Sequence, residues 1–217
     1  MTTSHRAPET PQVPSPLTPA QEAALARLRY GVDGPAGIVL LVGAAGMGKT
    51  LVLEAFAAEL AARGVTHALA GSAAEAAERA GRPDRSGVLL VDDAHGGSPV
   101  ELAAVATAAR SGALVLAGRG RLLTLASRDE RVASRVRLRA VVPPFTLDDS
   151  RRLVAARLGD GVLDEAVVVR ALHEIAAATP ARLVRLLDLV AVVAAGGRRL
   201  TAMDIEAIHA RLDPDAG

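Results

Sequence analysis

LVGAAGMGKT, residues 41–50, carries the only lysine among the chain's 25 basic side chains, all the others being arginine. Gly43, Ala44, Ala45, Gly46, Met47, Gly48, Lys49 and Thr50 fit the spacing G-x-x-x-x-G-K-[ST], and Leu51 follows them into an apolar run. Such a loop turns backbone N–H groups inward around phosphate oxygens, and a helix opening near Gly48 adds the positive end of its dipole. A compact ammonium at position 49 reaches the β- and γ-phosphates of a nucleotide as a point charge, which a planar guanidinium does not reproduce. The Thr50 hydroxyl is the expected Mg²⁺ ligand. The chemistry to expect is the holding of Mg·ATP in a cradle running from Gly43 to Leu51, provided the loop lies between a buried strand and a helix.

A second acidic element lies in VLLVDDAH, residues 88–95. Asp92, ending an apolar run, is placed to hold Mg²⁺ through water, and Asp93 follows it directly. In P-loop ATPases a carboxylate at that place polarises the attacking water; glutamate is commoner there, and aspartate is one methylene shorter. His95 invites a catalytic reading, but the chain has five histidines and no ligand cluster near this one, so it reads as a polar loop residue. Between 119 and 139, Arg119, Arg121, Arg128, Arg131, Arg135, Arg137 and Arg139 face only Asp129 and Glu130. That run fits a solvated helix face, a nucleic-acid patch or an arginine finger reaching a neighbouring subunit; spacing does not decide where a guanidinium points.

These residues need particular elements to position them, and the hydrophobic pattern supplies them. IVLLV (38–42) is uniformly apolar and β-branched at its ends, as in a strand buried on both faces. The Gly-rich loop follows, then a helix through about residue 63. THALA (66–70), GVLLVDD (87–93) and GALVLAG (112–118) repeat the strand pattern, separated by Ala-rich helical stretches around 72–80 and 99–110. Strands alternating with helices predict a parallel sheet covered on both faces. TPAQEAALARLRYGV precedes the sheet as a helix, with Thr18 as N-cap and Ala24, Leu25 and Leu28 on one face. After RVRLRAVV (135–142), Pro143 and Pro144 break the pattern and only helical segments follow. The expected organisation is a Pro-rich disordered arm over 1–19, an α/β domain over 20–142 and a small all-helical domain over 143–217.

Half of the 217 residues are hydrophobic, enough for a real core, but with two Phe, one Tyr and no Trp that core is aliphatic and offers little aromatic stacking for bases. A net charge of +1 argues against a protein whose whole surface grips nucleic acid. The absence of cysteine excludes disulfides and thiolate metal sites and fits a cytoplasmic location. The first twenty residues lack the apolar core of a signal peptide, and LVAVVAAGG from Leu189 is too short to span a membrane, so no membrane insertion is expected.

Taken with these motifs, the chain resembles AAA+ ATPases of the bacterial general-secretion type, GspA or ExeA, from about Thr18 to Leu212. EAALARLRYGVDGPAGIVLLVGAAGMGKT is similar to that family's entry helix, Tyr-Gly pair, first strand and P-loop, and VLLVDDAH stands where the family has an Asp-Glu-Ala-Gln type segment. The segment from LAGRGRLLTLASRDERVASRVRLRAVVPPF into the first helix beyond it, and AAATPARLVRLL, resemble its later strands and helical lid. The resemblance implies a P-loop NTPase αβα sandwich followed by an AAA+ lid, an oligomer of identical subunits, and slow hydrolysis of Mg·ATP that drives a change in a partner protein of unspecified identity. It further implies that Tyr30 and Gly31 lie near the adenine. Arg182 would be the sensor-2 arginine touching the γ-phosphate, Arg135 an arginine finger acting in trans, and Arg131 the next candidate for that role. Three features depart from the family: Asp93 replaces Glu, Arg119 stands where a sensor-1 residue such as Gln is expected, and the helix before VLLVDD is short. Two other readings follow, an ATP-binding interaction switch with negligible turnover and, from the basic run alone, a DNA-linked helper ATPase of the transposition type.

Overall fold

The structure, a computed structural model, describes residues 17–79, 87–159, 165–194 and 200–212. Its centre is β1 (Ile38–Val42), where every residue is buried because helices cover both faces of the sheet. The side chains of Ile38, Leu40 and Val42 enter one core and those of Val39 and Leu41 the other, as strand alternation requires. β1 pairs in parallel with β4 (Ala113–Gly118) on one side and β5 (Val136–Val141) on the other. β3 (Val88–Val91) and β2 (His67–Ala70) complete a five-stranded parallel sheet in the order β2-β3-β4-β1-β5.

One face is covered by α1 (Pro19–Val32) and α2 (Lys49–Ala62), which contribute Leu25, Leu28, Val52, Leu53, Phe56 and Leu60. The opposite face is covered by α3 (Ala73–Arg79), α4 (Pro99–Ala108), α5 (Arg121–Arg128) and the single turn α6 (Glu130–Ala133). The basic run of 119–139 therefore folds as two helices and the edge strand β5. Along β5, half-buried Val136 packs on the α3–α6 core and Leu138 on the α1–α2 core, across a register shift beside β1, while Arg137 and Arg139 are exposed, as suits an edge strand.

α1 begins with a capping box: the Thr18 hydroxyl accepts from Gln21 N at 3.4 Å, and Gln21 Oε1 accepts from Thr18 N at 3.1 Å. This places the start of order earlier than the sequence reading did. Of the disordered arm expected over 1–19, residues 1–16 lie outside the described residues, whereas Leu17 and Thr18 are packed and Pro19 is already helical.

Beyond Pro144 the described residues fold mainly as helices. α7 (Leu147–Leu158), α8 (Glu165–Ile175), α9 (Pro180–Ala194) and α10 (Ala202–Leu212) share a separate apolar core that includes Leu153, Leu172, Leu183, Leu187, Val190 and Ile205. Ala177 and Ala178, between α8 and α9, both adopt left-handed backbone (φ 49 and 53), which alanine rarely does. They turn the chain so that Ala178 O accepts from Phe145 N at 2.9 Å and α9 starts beside the sheet's carboxyl edge. No described helix is long and apolar enough to cross a membrane.

Candidate functional site

In a parallel sheet the strand ends that carry chemistry are the carboxyl ends. β1 delivers the loop Gly43–Gly48 to that edge, β3 delivers Asp92 and Asp93, and β4 delivers Arg119. The loop closes into α2 because Gly46 and Gly48 both take positive φ, 74 and 84, at no steric cost. Each also sits against a neighbour: a Cβ on Gly48 would lie 2.4 Å from Gln21 Nε2, and one on Gly46 would lie 2.8 Å from Thr179 Cγ2.

Lys49 opens α2 and is buried at 7% exposure. Its Nζ donates to Gly43 O at 3.0 Å and to Ala44 O at 2.8 Å, so the ammonium is folded onto the loop it follows. Burial lowers its pKa from the ordinary lysine value; Asp92 and Asp93 oppose that shift and Arg119 reinforces it. Next along the helix, Thr50 Oγ1 donates to Asp92 Oδ2 at 2.5 Å, bringing the two expected metal ligands together. The other Asp92 oxygen accepts from Asp93 N at 2.8 Å. Asp93 has left-handed backbone (φ 41), and its carboxylate is exposed. A hard divalent cation needs oxygen ligands and retains water, and the Thr50–Asp92 pair fits one shared with phosphate oxygens. Among the described residues no group of three or more His, Asp or Glu forms a metal cage of its own.

Beside the loop lies a cavity of about 710 Å³. It is lined by Ala45, Gly46 and Gly48 of the loop with Lys49, Thr50 and Leu51, by Asp93 and Arg119 at the strand ends, and by the lid through Phe145, Asp149, Arg152, Leu153, Pro180, Ala181 and Val184. Its remaining side is Leu17, Thr18, Pro19 and Glu22. Ala181 N donates to Gly46 O at 3.2 Å, so the first turn of α9 rests on the loop itself. Gln21 joins α1 to the same loop: it is buried at 3%, and its Nε2 donates to Met47 O at 3.1 Å.

Several expected site residues are not brought to this cavity. Tyr30 is 80% exposed, and Gly31 packs on the sheet, where a Cβ would lie 2.5 Å from Val39 Cγ2. The length of α1 sets both apart from the cavity. Only its first turn borders the cavity, and Tyr30 is eight residues further on, roughly 12 Å at 1.5 Å per residue. Arg182 is exposed and does not line the cavity, whereas Arg152 on α7 does. Arg135 is turned inward: its guanidinium donates to Ala106 O and, at 2.8 Å, to Ala109 O, at the carboxyl end of α4. Burial, with Arg110 nearby, lowers its pKa. Arg131 is exposed but chelates Asp129 through Nε at 3.0 Å and Nη2 at 2.7 Å. Gln21 and Arg152 are among the cavity residues that the sequence reading missed. The T-x-x-Q capping signature locates Gln21 in the first turn of α1, but nothing in the sequence announces its partner 26 positions away.

No protein-family model matches the sequence, and no curated protein does. Solved structures do match. The Orc1 protein of Aeropyrum pernix in complex with DNA superposes with a TM-score of 0.68 at 22% identity, over 94% of this chain and 68% of that one. Domain III of the replication initiation protein DnaA from Thermotoga maritima gives 0.65 at 17% identity, over 87% and 90%. The RuvB Holliday junction branch migration motor of Thermotoga maritima gives 0.58 at 20% identity, over 89% and 65%. These neighbours are AAA+ P-loop ATPases. The chain has an α/β P-loop NTPase fold. At these identities the likeness is one of fold, and this chain spans about two thirds of the length of the Orc1 and RuvB chains.

Proposed function

We propose that this chain binds Mg·ATP in the cavity between the Gly43–Leu51 loop and the helical lid, and hydrolyses it as an oligomer of identical subunits. The observation that carries the reading is the convergence of the lone lysine, the Thr50–Asp92 pair and Asp93 on one sheet edge beside a cavity of about 710 Å³. Lys49 exchanges its two carbonyl partners for phosphate oxygens, and the N–H groups from Gly46 to Thr50, at the start of α2, hold the phosphates against the loop. Thr50 and Asp92 hold Mg²⁺, which when bound neutralises charge on the β- and γ-phosphates. Asp93 orients and polarises the attacking water, and Arg119, which lines the same cavity near Lys49, meets the γ-phosphate. The base lies toward Leu17, Pro19, Phe145, Leu153 and Val184, whose apolar surfaces suit its faces. On this reading the unit 20–142 supplies the phosphate and metal ligands, and the lid, from 143 on, reports their occupancy through the contact of Ala181 with Gly46. The narrower likeness to general-secretion ATPases rests on the sequence segments quoted above.

The test is Asp93→Asn, which keeps shape and removes charge. It should bind ATP as the unaltered chain does and lose turnover; ATP turnover by Asp93→Asn at the unaltered rate would overturn the role given to Asp93.

A second reading, a nucleotide-dependent switch with negligible turnover, is favoured by one observation. The two candidate arginine fingers are engaged within their own chain, Arg135 on α4 and Arg131 on Asp129. ATP binding with no measurable phosphate release from the unaltered protein would select it.

A further inference from the structure

His95 lies in the single 3₁₀ turn Ala94–Gly96 that follows Asp93, and it is held from several sides. Its side chain is 16% exposed. Its backbone carbonyl accepts from Arg121 Nη1 at 2.7 Å, which ties the turn to α5. Behind it, Gly118 ends β4 with no room for a side chain: a Cβ there would lie 3.0 Å from His95 Cβ and 3.1 Å from His95 N. The base of the His95 side chain thus packs against the sheet edge, and its Nδ1 is buried without a hydrogen-bond partner. A buried polar nitrogen left unpaired is costly, and such an atom at a site edge calls for a role.

The nearest carboxylate is that of Asp93, with Oδ1 3.6 Å from Nδ1, beyond hydrogen-bonding distance. The two sides of this gap differ in freedom. His95 is fixed by packing, whereas the Asp93 carboxylate is 68% exposed and unclamped on its outer side. Asp93 also stands on left-handed backbone, and it lines the cavity while its Oδ1 approaches His95. Catalytic hydrogen bonds are often long in the nucleotide-free state and tighten on binding.

We propose that His95 is a positioning residue for Asp93: its Nδ1–H donates to the carboxylate and fixes the oxygen that faces the attacking water. This deepens the hydrolytic reading and rests on it. A displacement of about 1 Å at such a group can cost ~10² in rate.

The experiment compares His95→Ala, His95→Asn and His95→Gln in the full chain. Asparagine can place a donor where Nδ1 stands; glutamine reaches the place of Nε2 instead. His95→Ala should lower kcat about 10- to 100-fold with ATP affinity within about twofold, His95→Asn should recover most of the loss, and His95→Gln should recover little. Nitrogen NMR of the ring provides a readout that does not need turnover. The neutral ring of His95 should carry its proton on Nδ1 in the unaltered protein and revert to the common Nε2–H form in Asp93→Ala. Thermal melting separates a folding defect in His95→Ala, and His95→Asn then decides the case. An unchanged kcat in folded His95→Ala, equal rescue by Asn and Gln, or a tautomer indifferent to Asp93 would each overturn the proposal. Absence of turnover in the unaltered protein would refute the hydrolytic reading first, and the tautomer measurement would still show whether the two side chains pair.

Discussion

Gln21→Leu tests how the phosphate loop is held in shape. Leucine nearly matches the volume and helix propensity of glutamine, so the change isolates two hydrogen bonds: Thr18 N to Oε1 at 3.1 Å and Nε2 to Met47 O at 3.1 Å. Each is worth about 1 kcal/mol net, and both partners are left in a buried setting, since Thr18 is 8% and Met47 5% exposed. Unpaired buried groups raise the cost toward about 4 kcal/mol, while burying the apolar leucine returns about 1 kcal/mol, leaving a net loss of roughly 1–3 kcal/mol. For a chain of this size that lowers Tm by about 2–12 °C. Releasing the Met47 carbonyl also frees the turn at Gly48, so ATP affinity should fall about 10-fold even at temperatures where the variant is fully folded. The assay pairs thermal melting with calorimetric titration of ATP at 15 °C. A Tm within 1 °C of the parent together with unchanged affinity would refute the claim that Gln21 braces the loop.

Arg135→Ala should lose about 1–3 kcal/mol of stability by chemical denaturation, because the guanidinium caps carbonyls at the end of α4, while any turnover of the folded variant stays within about threefold of the parent; a loss of ~10³ or more in rate at unchanged stability would restore it as an arginine finger. Ala177→Gly and Ala178→Gly should each raise stability by about 0.5–1 kcal/mol in the same measurement, since glycine accepts φ near 50 that strains alanine, and a fall in stability would show the turn to be unstrained.

Much of this fold was legible in the sequence because its central strands are buried on both faces. Continuous runs such as IVLLV and VLLV need no partner to be read as strands, and β2, the shorter edge strand, differs from the expected THALA by one residue at its start. The phosphate loop was legible for a related reason, since the glycine spacing, the lysine and the flanking elements all lie within one contiguous segment. Side-chain direction was not. Arg135 and Arg139 are both arginines at the start of or on one edge strand, yet the first is pulled inward by carbonyls of α4, an element distant in sequence, while the second faces solvent. Tyr30 does not reach the cavity because a helix carries its residues away from a site at 1.5 Å each, and only the first turn of α1 meets the cavity. Gln21 draws its significance from a partner on another element, Met47 O, which no local pattern encodes; His95 lies two residues from Asp93, but the burial of its Nδ1 depends on packing that the sequence does not show.

The central claim, that the lone lysine marks a Mg·ATP site, is tested most directly by calorimetric titration of ATP with and without Mg²⁺ into the unaltered chain and into Lys49→Ala. Removing an ammonium that forms two charge-assisted hydrogen bonds should weaken binding by at least about 100-fold, with an unchanged circular dichroism spectrum. The unaltered chain should bind more tightly with Mg²⁺ than without it. Equal ATP affinity in the two proteins, or no binding by the unaltered chain, would contradict the account.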